Sequence, residues 1–261
     1  MTNTDSGGGV PVRPAATVML LRERPGLEVY LLRRVRSMPF APGVYVFPGG
    51  GVDDRDTDRG VRWAGPSPAA WAEVLGTAEP LARALVCAAV RETFEESGVL
   101  LAGPAESGPV ADTRGPDWEA DRAALVDRSL AFSAFLDRRG LVLRTDLLRA
   151  WSRWITPEGE PRRYDTRFFA AALPDGQSTR DVGGEADRVA WLDPAEAVAA
   201  WRRGDLAMLP PTAYSCASLA ECGSLAAVMA APRDLSPVRP ELREVDGRVR
   251  VAVPGAAPDT P

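Results

Sequence analysis

The sequence predicts a mixed α+β fold in which a β-sheet is flanked by helices. Two observations support this prediction. Short apolar runs typical of strands alternate with longer helical patterns, and the alternation lacks the regular rhythm of a parallel βαβ protein. The chain has 261 residues, 45% hydrophobic and 26% charged, which is ordinary for a globular domain with elaborations. No repeat of fixed period interrupts this pattern.

The first third of the chain contributes strands and then a long irregular segment. Strands are predicted at 15–21, 27–32 and 44–47. The last of them runs into Pro48-Gly49-Gly50-Gly51, where the backbone can adopt conformations closed to other residues. Residues 53–80 are rich in Asp, Arg, Gly and Pro, which predicts a long loop with one short helix near 69–75. A lid and a dimer surface are both open interpretations of this loop.

Helical patterns dominate the rest of the chain. Helices are predicted at 81–97, 118–139, 194–203 and 213–229, and strands at 151–155, 166–172, 188–192 and 248–253. We expect a disordered tail at 1–10, one domain over 11–230 that carries the insertion 53–80 and extra C-terminal helices, and a Pro-rich C-terminal extension at 231–261.

Composition excludes several classes of function. The chain has no histidine, which removes Ser-His-Asp triads and His-based zinc sites. Its net charge of -5 argues against broad nucleic-acid binding, and no apolar run is long enough to span a membrane. Three cysteines without CxxC spacing are typical of a reducing cytoplasm, which is the expected location.

Three glutamates near the end of the predicted helix 81–97 share one side of it. At about 100° per residue, Glu92, Glu95 and Glu96 fall within an arc of about 100°. The opposite, packing side carries Val86, Cys87, Val90, Thr93 and Phe94. Like charges at this spacing repel one another, and the helix dipole disfavours negative charge at this end. We therefore expect a positive group beside the glutamates.

Hard oxygen ligands on a rigid helix are typical of Mg²⁺ or Mn²⁺ sites, which bind carboxylates together with substrate phosphates. Such an ion can neutralise a diphosphate and activate a water molecule. The neighbouring Arg91 is expected to hold one carboxylate by a charge-assisted hydrogen bond. The alternative is an ordinary solvated helix face, which the spacing alone would favour.

Residues 91–99 read Arg-Glu-Thr-Phe-Glu-Glu-Ser-Gly-Val, which resembles the second half of the Nudix box, G-x5-E-x7-R-E-U-x-E-E-x-G-U, with U a bulky apolar residue. The turn Pro48-Gly49-Gly50 resembles the glycine turn that opens this box. Thr93 departs from the apolar residue expected at its position. The resemblance implies a Nudix fold and metal-dependent hydrolysis of a diphosphate linkage.

The spacing departs from the Nudix box between the turn and the helix. Arg91 lies 41 positions after Gly50, where the pattern has 14, so about 27 residues are inserted. Counted back from Arg91, the first glutamate of the box falls on Arg83, which is basic. In the family that glutamate is mainly supportive, so we expect the metal site to survive its loss.

The segment 30–50 resembles the one that precedes the box in coenzyme A diphosphatases of the Nudix family, and the peroxisomal acyl-coenzyme A type also has a long insertion. The later segments that resemble this subgroup are 154–158, 163–169 and 209–212. Arg34 fits the first arginine of the coenzyme A motif, whereas Pro39 stands where a second basic residue is often written.

The resemblance implies a metal site and a catalytic group. Glu92, Glu95, Glu96 and the backbone carbonyl of Gly49 are expected to ligate Mg²⁺ or Mn²⁺. Glu95 and Glu96 are also expected to take part in catalysis, and Arg91 to orient the glutamates. The attacking group would be a metal-activated water molecule.

Other residues are candidates for the general base and for substrate binding. Glu185 is the candidate base, with a surface loop acid as its alternative. Arg34, Arg36 and Gly50 are the candidate substrate-binding residues, with a solvated strand edge as the alternative for the arginines. Trp118, Trp151, Trp154 and Phe168 are expected to pack in the core or to contact adenine or pantetheine.

The expected substrate is coenzyme A or an acyl-coenzyme A, cleaved to 3',5'-ADP and 4'-phosphopantetheine or its acyl form. Three alternatives stay open: a Nudix hydrolase of ADP-ribose or another nucleoside diphosphate derivative, a non-hydrolytic Nudix-like binding or regulatory module, and a purely structural acidic helix. The expected partner is a small-molecule substrate, without nucleic acid or membrane, and a homodimer is left open.

Overall fold

The computed structural model describes residues 10–35, 43–181, 186–245 and 248–254. The strands are β1 (Val12–Glu23), β2 (Leu27–Arg34), β3 (Tyr45–Val46), β4 (Gly49–Gly51), β5 (Trp63–Ala64), β6 (Ala102–Gly103), β7 (Val142–Arg144), β8 (Leu148–Ile155), β9 (Arg163–Ala172), β10 (Ala186–Leu192), β11 (Pro237–Val238), β12 (Glu241–Val245) and β13 (Arg248–Ala252). The helices are α1 (Pro68–Leu75), α2 (Glu79–Ser97), α3 (Pro116–Val126), α4 (Phe132–Arg138), α5 (Pro194–Arg203), α6 (Pro210–Cys222) and α7 (Leu225–Ala230).

A mixed sheet of eight strands forms the centre of the fold. Its main order is β10-β2-β1-β9-β8-β11, and β3 and β4 pair with β2 and β1. Helices α1 and α2 pack on one face, and α5, α6 and α7 pack on the other. This arrangement confirms the predicted α+β fold with a sheet between helices. Among the described residues, no helix is long and apolar enough to cross a membrane.

Strand β1 is buried on both faces. Ala16, Val18 and Leu20 belong to the core on the α2 side, whereas Met19 and Leu21 belong to the core on the α5–α7 side. Successive side chains of a strand point to opposite faces, so a run that is apolar at every position fits only a central strand. Each of these five side chains is 0% exposed. β1 is therefore the buried central strand that supports the glycine turn and α2.

Helix α2 follows its prediction closely. It begins two positions before the predicted start, because Pro80 is well suited to the first turn of a helix. It ends at Gly98, whose φ of 73° lies in the left-handed region that favours glycine. The side of α2 opposite the three glutamates is fully buried, which confirms the prediction that it packs in the core.

Two helices predicted as continuous are each broken, so both predictions are wrong in this respect. The predicted helix 118–139 is α3 and α4, separated by a turn in which Arg128 adopts a φ of 65°. The predicted helix 213–229 is α6 and α7, separated at Gly223 with a φ of 72°. Left-handed backbone cannot continue a right-handed helix, and apolar periodicity alone does not reveal such a residue.

The insertion 53–80 contains more structure than the predicted loop. It holds the expected short helix, α1, but also a 3-10 turn at Asp54–Thr57 and strand β5. Strand β5 joins β7 and β6 in a second, three-stranded sheet. Trp71 of α1 is buried and lies edge-on to Phe169 of β9, with ring centroids 5.8 Å apart. The insertion thus packs on the main core instead of extending from it.

The described part of the C-terminal extension, 231–245 and 248–254, also joins the fold. Strand β11 pairs in parallel with β8 and adds an edge to the main sheet. β12 and β13 form an antiparallel hairpin, of which β13 corresponds to the predicted strand 248–253. The sequence did not predict β12.

Candidate active site

A cavity of about 650 Å³ lies between the glycine turn, the end of α2, strands β8 and β9 and the start of α6. Its polar end is lined by Gly49, Gly50, Gly51, Glu92, Glu96, Arg34 and Arg128. Its apolar wall includes Trp154, Ile155, Phe168, Pro210 and Pro211. Pockets of this size and mixed lining are typical of small-molecule sites.

The glycine turn brings the backbone of β4 against the carboxylates of α2. Gly49 donates its N–H to Glu96 Oε2 at 2.9 Å. A Cβ at Gly50 would lie 2.5 Å from Glu92 Oε1, and a Cβ at Gly49 would lie 2.5 Å from the carbonyl oxygen of Ala16. Such close approach requires residues without side chains. The glycines therefore set the distance between the turn and the acidic side of α2.

Arg91 connects the acidic side of α2 to the insertion. Its Nε and Nη2 donate to the two carboxylate oxygens of Asp56, each at 2.9 Å. Its Nη1 donates to Glu92 Oε1 at 2.7 Å and to Glu95 Oε1 at 3.3 Å, and Nη2 reaches the carbonyl of Gly51 at 3.2 Å. The predicted hydrogen bond from Arg91 to a carboxylate is confirmed, and the arginine holds three carboxylates.

Asp56 is a site residue that the sequence analysis missed. Its side chain is 1% exposed and forms the two-pronged pair with Arg91. Counted forward from Gly50, Asp56 occupies the position of the first glutamate in the box, so the extra residues follow Asp56 within the segment 53–80. Placing that position on Arg83 is therefore wrong. Arg83 instead donates to the carbonyl of Val61 and lies over the ring of Trp63.

The carboxylates of α2 are largely removed from water. The side chains of Glu92 and Glu95 are only 14% and 12% exposed. Burial raises the pKa of Glu92 to about 7, although the charge of Arg91 opposes this shift. Burial also raises the pKa of Glu95. The alternative of a solvated helix face is therefore wrong.

Arg91 stays protonated within this cluster. Burial by itself lowers the pKa of its guanidinium, but the hydrogen bonds to Asp56 and the charge of Glu92 outweigh it and raise that pKa. One guanidinium thus contacts three carboxylates, those of Asp56, Glu92 and Glu95, whereas Glu96 accepts from the amide of Gly49. The polar end of the cavity combines the carboxylates of Glu92 and Glu96 with the guanidinium groups of Arg34 and Arg128.

Two further arginines lie at the C-terminal end of α2, where a positive group is expected. Nη1 of the buried Arg122 donates to the carbonyl of Glu95 at 2.7 Å. The backbone N–H of Arg180 donates to the carbonyl of Ser97 at 3.1 Å, and its guanidinium packs against Gly98. Both arginines offset the negative end of the helix dipole. Both contacts are with backbone carbonyl groups of α2.

The donor set fits a hard divalent cation. Within the described part of the chain, no three acidic or thiol side chains are already gathered around a common point as metal ligands. Glu92 and Glu95 are turned to Arg91, and Glu96 to the amide of Gly49. The donors are nevertheless oxygens only and partly buried, which is the chemistry that Mg²⁺ and Mn²⁺ prefer.

The predicted substrate-binding residues fall partly on the cavity. Arg34 and Gly50 line it together with Glu92 and Glu96, whereas Arg36 and Glu185 lie outside the described residues. Of the four aromatic candidates, Trp154 and Phe168 line the cavity, whereas Trp118 and Trp151 belong to the hydrophobic cores. The lining residues that the sequence did not suggest include Arg128, Pro240 and Val251.

Comparisons with known proteins agree on one family. The family described as the NUDT19 Nudix domain matches residues 61–219. A putative nudix hydrolase 7 from Caenorhabditis elegans is 29% identical over 209 residues. The acyl-coenzyme A diphosphatase NUDT19 is 29% identical over 265 residues in Gallus gallus and 30% over 240 residues in Homo sapiens.

The coverage of these matches differs between the relatives and a solved structure. The matches cover 80%, 82% and 77% of this chain, but 61%, 69% and 62% of the three relatives, so the chain spans about two thirds of their length. The crystal structure of a NUDIX hydrolase from Alicyclobacillus acidocaldarius superposes with a TM-score of 0.72 and 29% identity, over 86% of this chain and 98% of that one.

Proposed function

The chain belongs to the Nudix hydrolase family, and from that premise we propose that it hydrolyses the diphosphate linkage of coenzyme A or an acyl-coenzyme A. The products would be 3',5'-ADP and 4'-phosphopantetheine or its acyl form. The observation that carries this proposal is one cavity whose lining combines the carboxylates of Glu92 and Glu96 with apolar side chains such as Trp154 and Phe168.

The shape and chemistry of the cavity support this substrate class. A diphosphate suits the end with the glycine turn, and the wall formed by Trp154, Phe168 and Pro211 suits the less polar pantetheine and acyl portion. The acyl-coenzyme A diphosphatases among the relatives support the same assignment. Arg34 and Gly50, both lining the cavity, are proposed to bind the substrate, and Arg36 is proposed to assist them.

We propose that Glu92, Glu95, Glu96 and the carbonyl of Gly49 hold Mg²⁺ or Mn²⁺. Nudix hydrolases generally use divalent metal ions, and when bound such an ion neutralises the diphosphate and lowers the pKa of a coordinated water molecule. Arg91 orients Glu92 and Glu95 through the hydrogen bonds from its Nη1.

Proton removal from the attacking water requires a general base, for which we propose Glu185. Glu95 and Glu96 are proposed to act in catalysis as well as in metal binding. We further propose a cytoplasmic location, because the three cysteines are free thiols, as is usual in a reducing compartment. The proposed partner is the small-molecule substrate alone, without nucleic acid or membrane, and a homodimer remains open.

Mass spectrometry of the products tests the proposed function. The enzyme is incubated with coenzyme A, an acyl-coenzyme A or ADP-ribose, each with Mg²⁺ or Mn²⁺. We expect the wild-type enzyme to form 3',5'-ADP from coenzyme A and from the acyl-coenzyme A. The substitution Glu96→Gln should abolish this product. Glu73→Gln, at an exposed glutamate of α1, is the matched control and should retain full activity. Turnover of ADP-ribose with coenzyme A untouched would refute the proposal, and no turnover at all would favour a binding module.

A further inference from the structure

Arg128 occupies an unusual backbone position beside the active site. It lies in the turn between α3 and α4, and its φ of 65° is the only positive value among the described non-glycine residues. Left-handed backbone is unfavourable for a long side chain, and such residues are concentrated at functional sites. Glycine would be favoured there on conformational grounds. We therefore attribute the presence of an arginine to a role of its side chain.

Hydrogen bonds hold the turn around Arg128 in place. The N–H of Arg128 donates to the carbonyl of Leu125 at 3.0 Å, and the N–H of Leu130 donates to the carbonyl of Ala124 at 2.9 Å. Arg55, in the 3-10 turn of the insertion, donates to the carbonyl of Arg128 at 3.1 Å. The insertion and the α3–α4 turn thus fix the backbone from which this guanidinium extends.

The side chain of Arg128 lines the cavity and remains accessible to a ligand. It is 75% exposed, and its nearest ion-pair contact is a long one, 3.8 Å from Nη1 to Asp53 Oδ2. Asp53 follows the glycine turn, so this contact places Arg128 at the end of the cavity that Gly51 and Glu92 also line. Asp53 already pairs with Arg55 at 3.0 Å, which leaves the guanidinium of Arg128 only weakly engaged.

We infer that Arg128 is a substrate-binding residue that donates hydrogen bonds to the diphosphate of the substrate. A planar guanidinium presents paired donors that match phosphate oxygens, and a fixed backbone reduces the entropy lost on binding. Arg128 also supplies positive charge at a cavity end where Glu92 and Glu96 would otherwise repel an anion. The inference rests on the proposed function in that it takes the ligand to be a diphosphate.

Binding of ADP with Mg²⁺, measured by calorimetry on the full chain, tests this inference. Arg128→Gly removes the guanidinium and relieves the left-handed backbone. It should weaken ADP binding by at least about tenfold while leaving the melting temperature unchanged or higher. Arg128→Lys keeps the charge but not the paired donors, so its affinity for ADP should lie between those of the wild type and Arg128→Gly. Arg203→Ala, at an exposed arginine of α5, is the control and should bind as the wild type does.

Substrate kinetics identify the phosphate that Arg128 contacts. Arg128→Gly should lower kcat/KM by the same factor for coenzyme A and for dephospho-coenzyme A, because both carry the diphosphate. A loss confined to coenzyme A would assign Arg128 to the 3'-phosphate and overturn the inference, as would wild-type ADP affinity in Arg128→Gly. If the wild-type protein left coenzyme A intact but bound ADP through Arg128, the proposed function would fail and the inference would stand.

Discussion

The pair between Asp56 and Arg91 shows how single residues organise this site. Arg91 donates two hydrogen bonds to Asp56, from Nε and Nη2, and its Nη1 donates to Glu92 and Glu95. An arginine held by two parallel hydrogen bonds has little rotational freedom. Asp56 is therefore a positioning residue that acts on the glutamates through Arg91.

Replacing Asp56 should affect both stability and turnover. Asp56→Asn removes one of the three carboxylates that bind Arg91 and weakens its charge-assisted hydrogen bonds, which should cost about 1.5–3 kcal/mol in the free energy of unfolding. The proposed diphosphatase turnover should fall at least about tenfold because Arg91 is held less firmly. Denaturant unfolding and steady-state kinetics measure the two effects. Asp54→Asn, at an exposed neighbour, is the control. Wild-type kinetics in Asp56→Asn would show that Arg91 needs no partner.

The glycine turn allows a comparison between adjacent residues. A Cβ at Gly50 would displace the carboxylate of Glu92, whereas a Cβ at Gly51 meets nothing within 4 Å. Gly50→Ala should thus lower kcat at least about tenfold, with little loss of stability because the end of a flexible side chain moves. Gly51→Ala should remain within about 0.5 kcal/mol of wild-type stability and keep its activity. Equal activity of the two variants would contradict the close approach of Gly50 and Glu92.

Two elements beyond the glycine turn and helix α2 shape the site. The segment 53–80 supplies Asp56 and holds the turn of Arg128 through Arg55. The C-terminal hairpin β12–β13 adds Pro240, just before β12, and Val251 to the cavity lining. The hairpin thus forms part of the wall that a substrate would contact.

A charge placed on the hairpin should weaken substrate binding. Val251→Asp puts a carboxylate on the lining where an anionic substrate is proposed to bind. Two unit charges about 4 Å apart in water repel by about 1 kcal/mol, so KM should rise roughly fivefold with kcat nearly unchanged. Steady-state kinetics with coenzyme A provide the measurement. Val74→Asp, at an exposed valine of α1 that does not line the cavity, is the control. An unchanged KM would mean that the substrate does not reach the hairpin.

At the scale of the whole molecule, the acidic cluster links metal binding to stability. The buried carboxylates Glu92 and Glu95 have raised pKa values, so the folded protein should gain stability from a cation that neutralises them. Binding at 100 times the Kd stabilises a protein by about 2.7 kcal/mol. This corresponds to a rise in Tm of roughly 5–10 °C for a chain of this size.

Thermal unfolding with and without Mn²⁺ tests this link. We expect the Tm to rise with Mn²⁺ in the wild-type protein and in Glu73→Gln, whose altered residue is an exposed glutamate outside the cluster. The rise should be lost in Glu96→Gln if Glu96 is a ligand. An equal rise in Glu96→Gln would move the metal site elsewhere.

Features encoded locally could be predicted from the sequence alone. The acidic side of α2, its buried opposite side and its end at Gly98 all follow from residues within one helix. Helical periodicity and the conformational freedom of glycine make such features readable without a structure. The predicted α+β fold and the predicted membership of the Nudix family were also confirmed, by the family match and by the similar solved structure.

Other features depend on residues that are far apart in the chain. Asp56 meets Arg91 across 35 positions and Arg55 meets Arg128 across 73, and no periodic pattern records such pairs. The break at Arg128 was missed because the apolar pattern continues across it. The sequence by itself therefore determined the acidic helix and the family. Only the tertiary structure decided how Arg91 is held and which distant residues enclose the cavity, because long-range packing sets both.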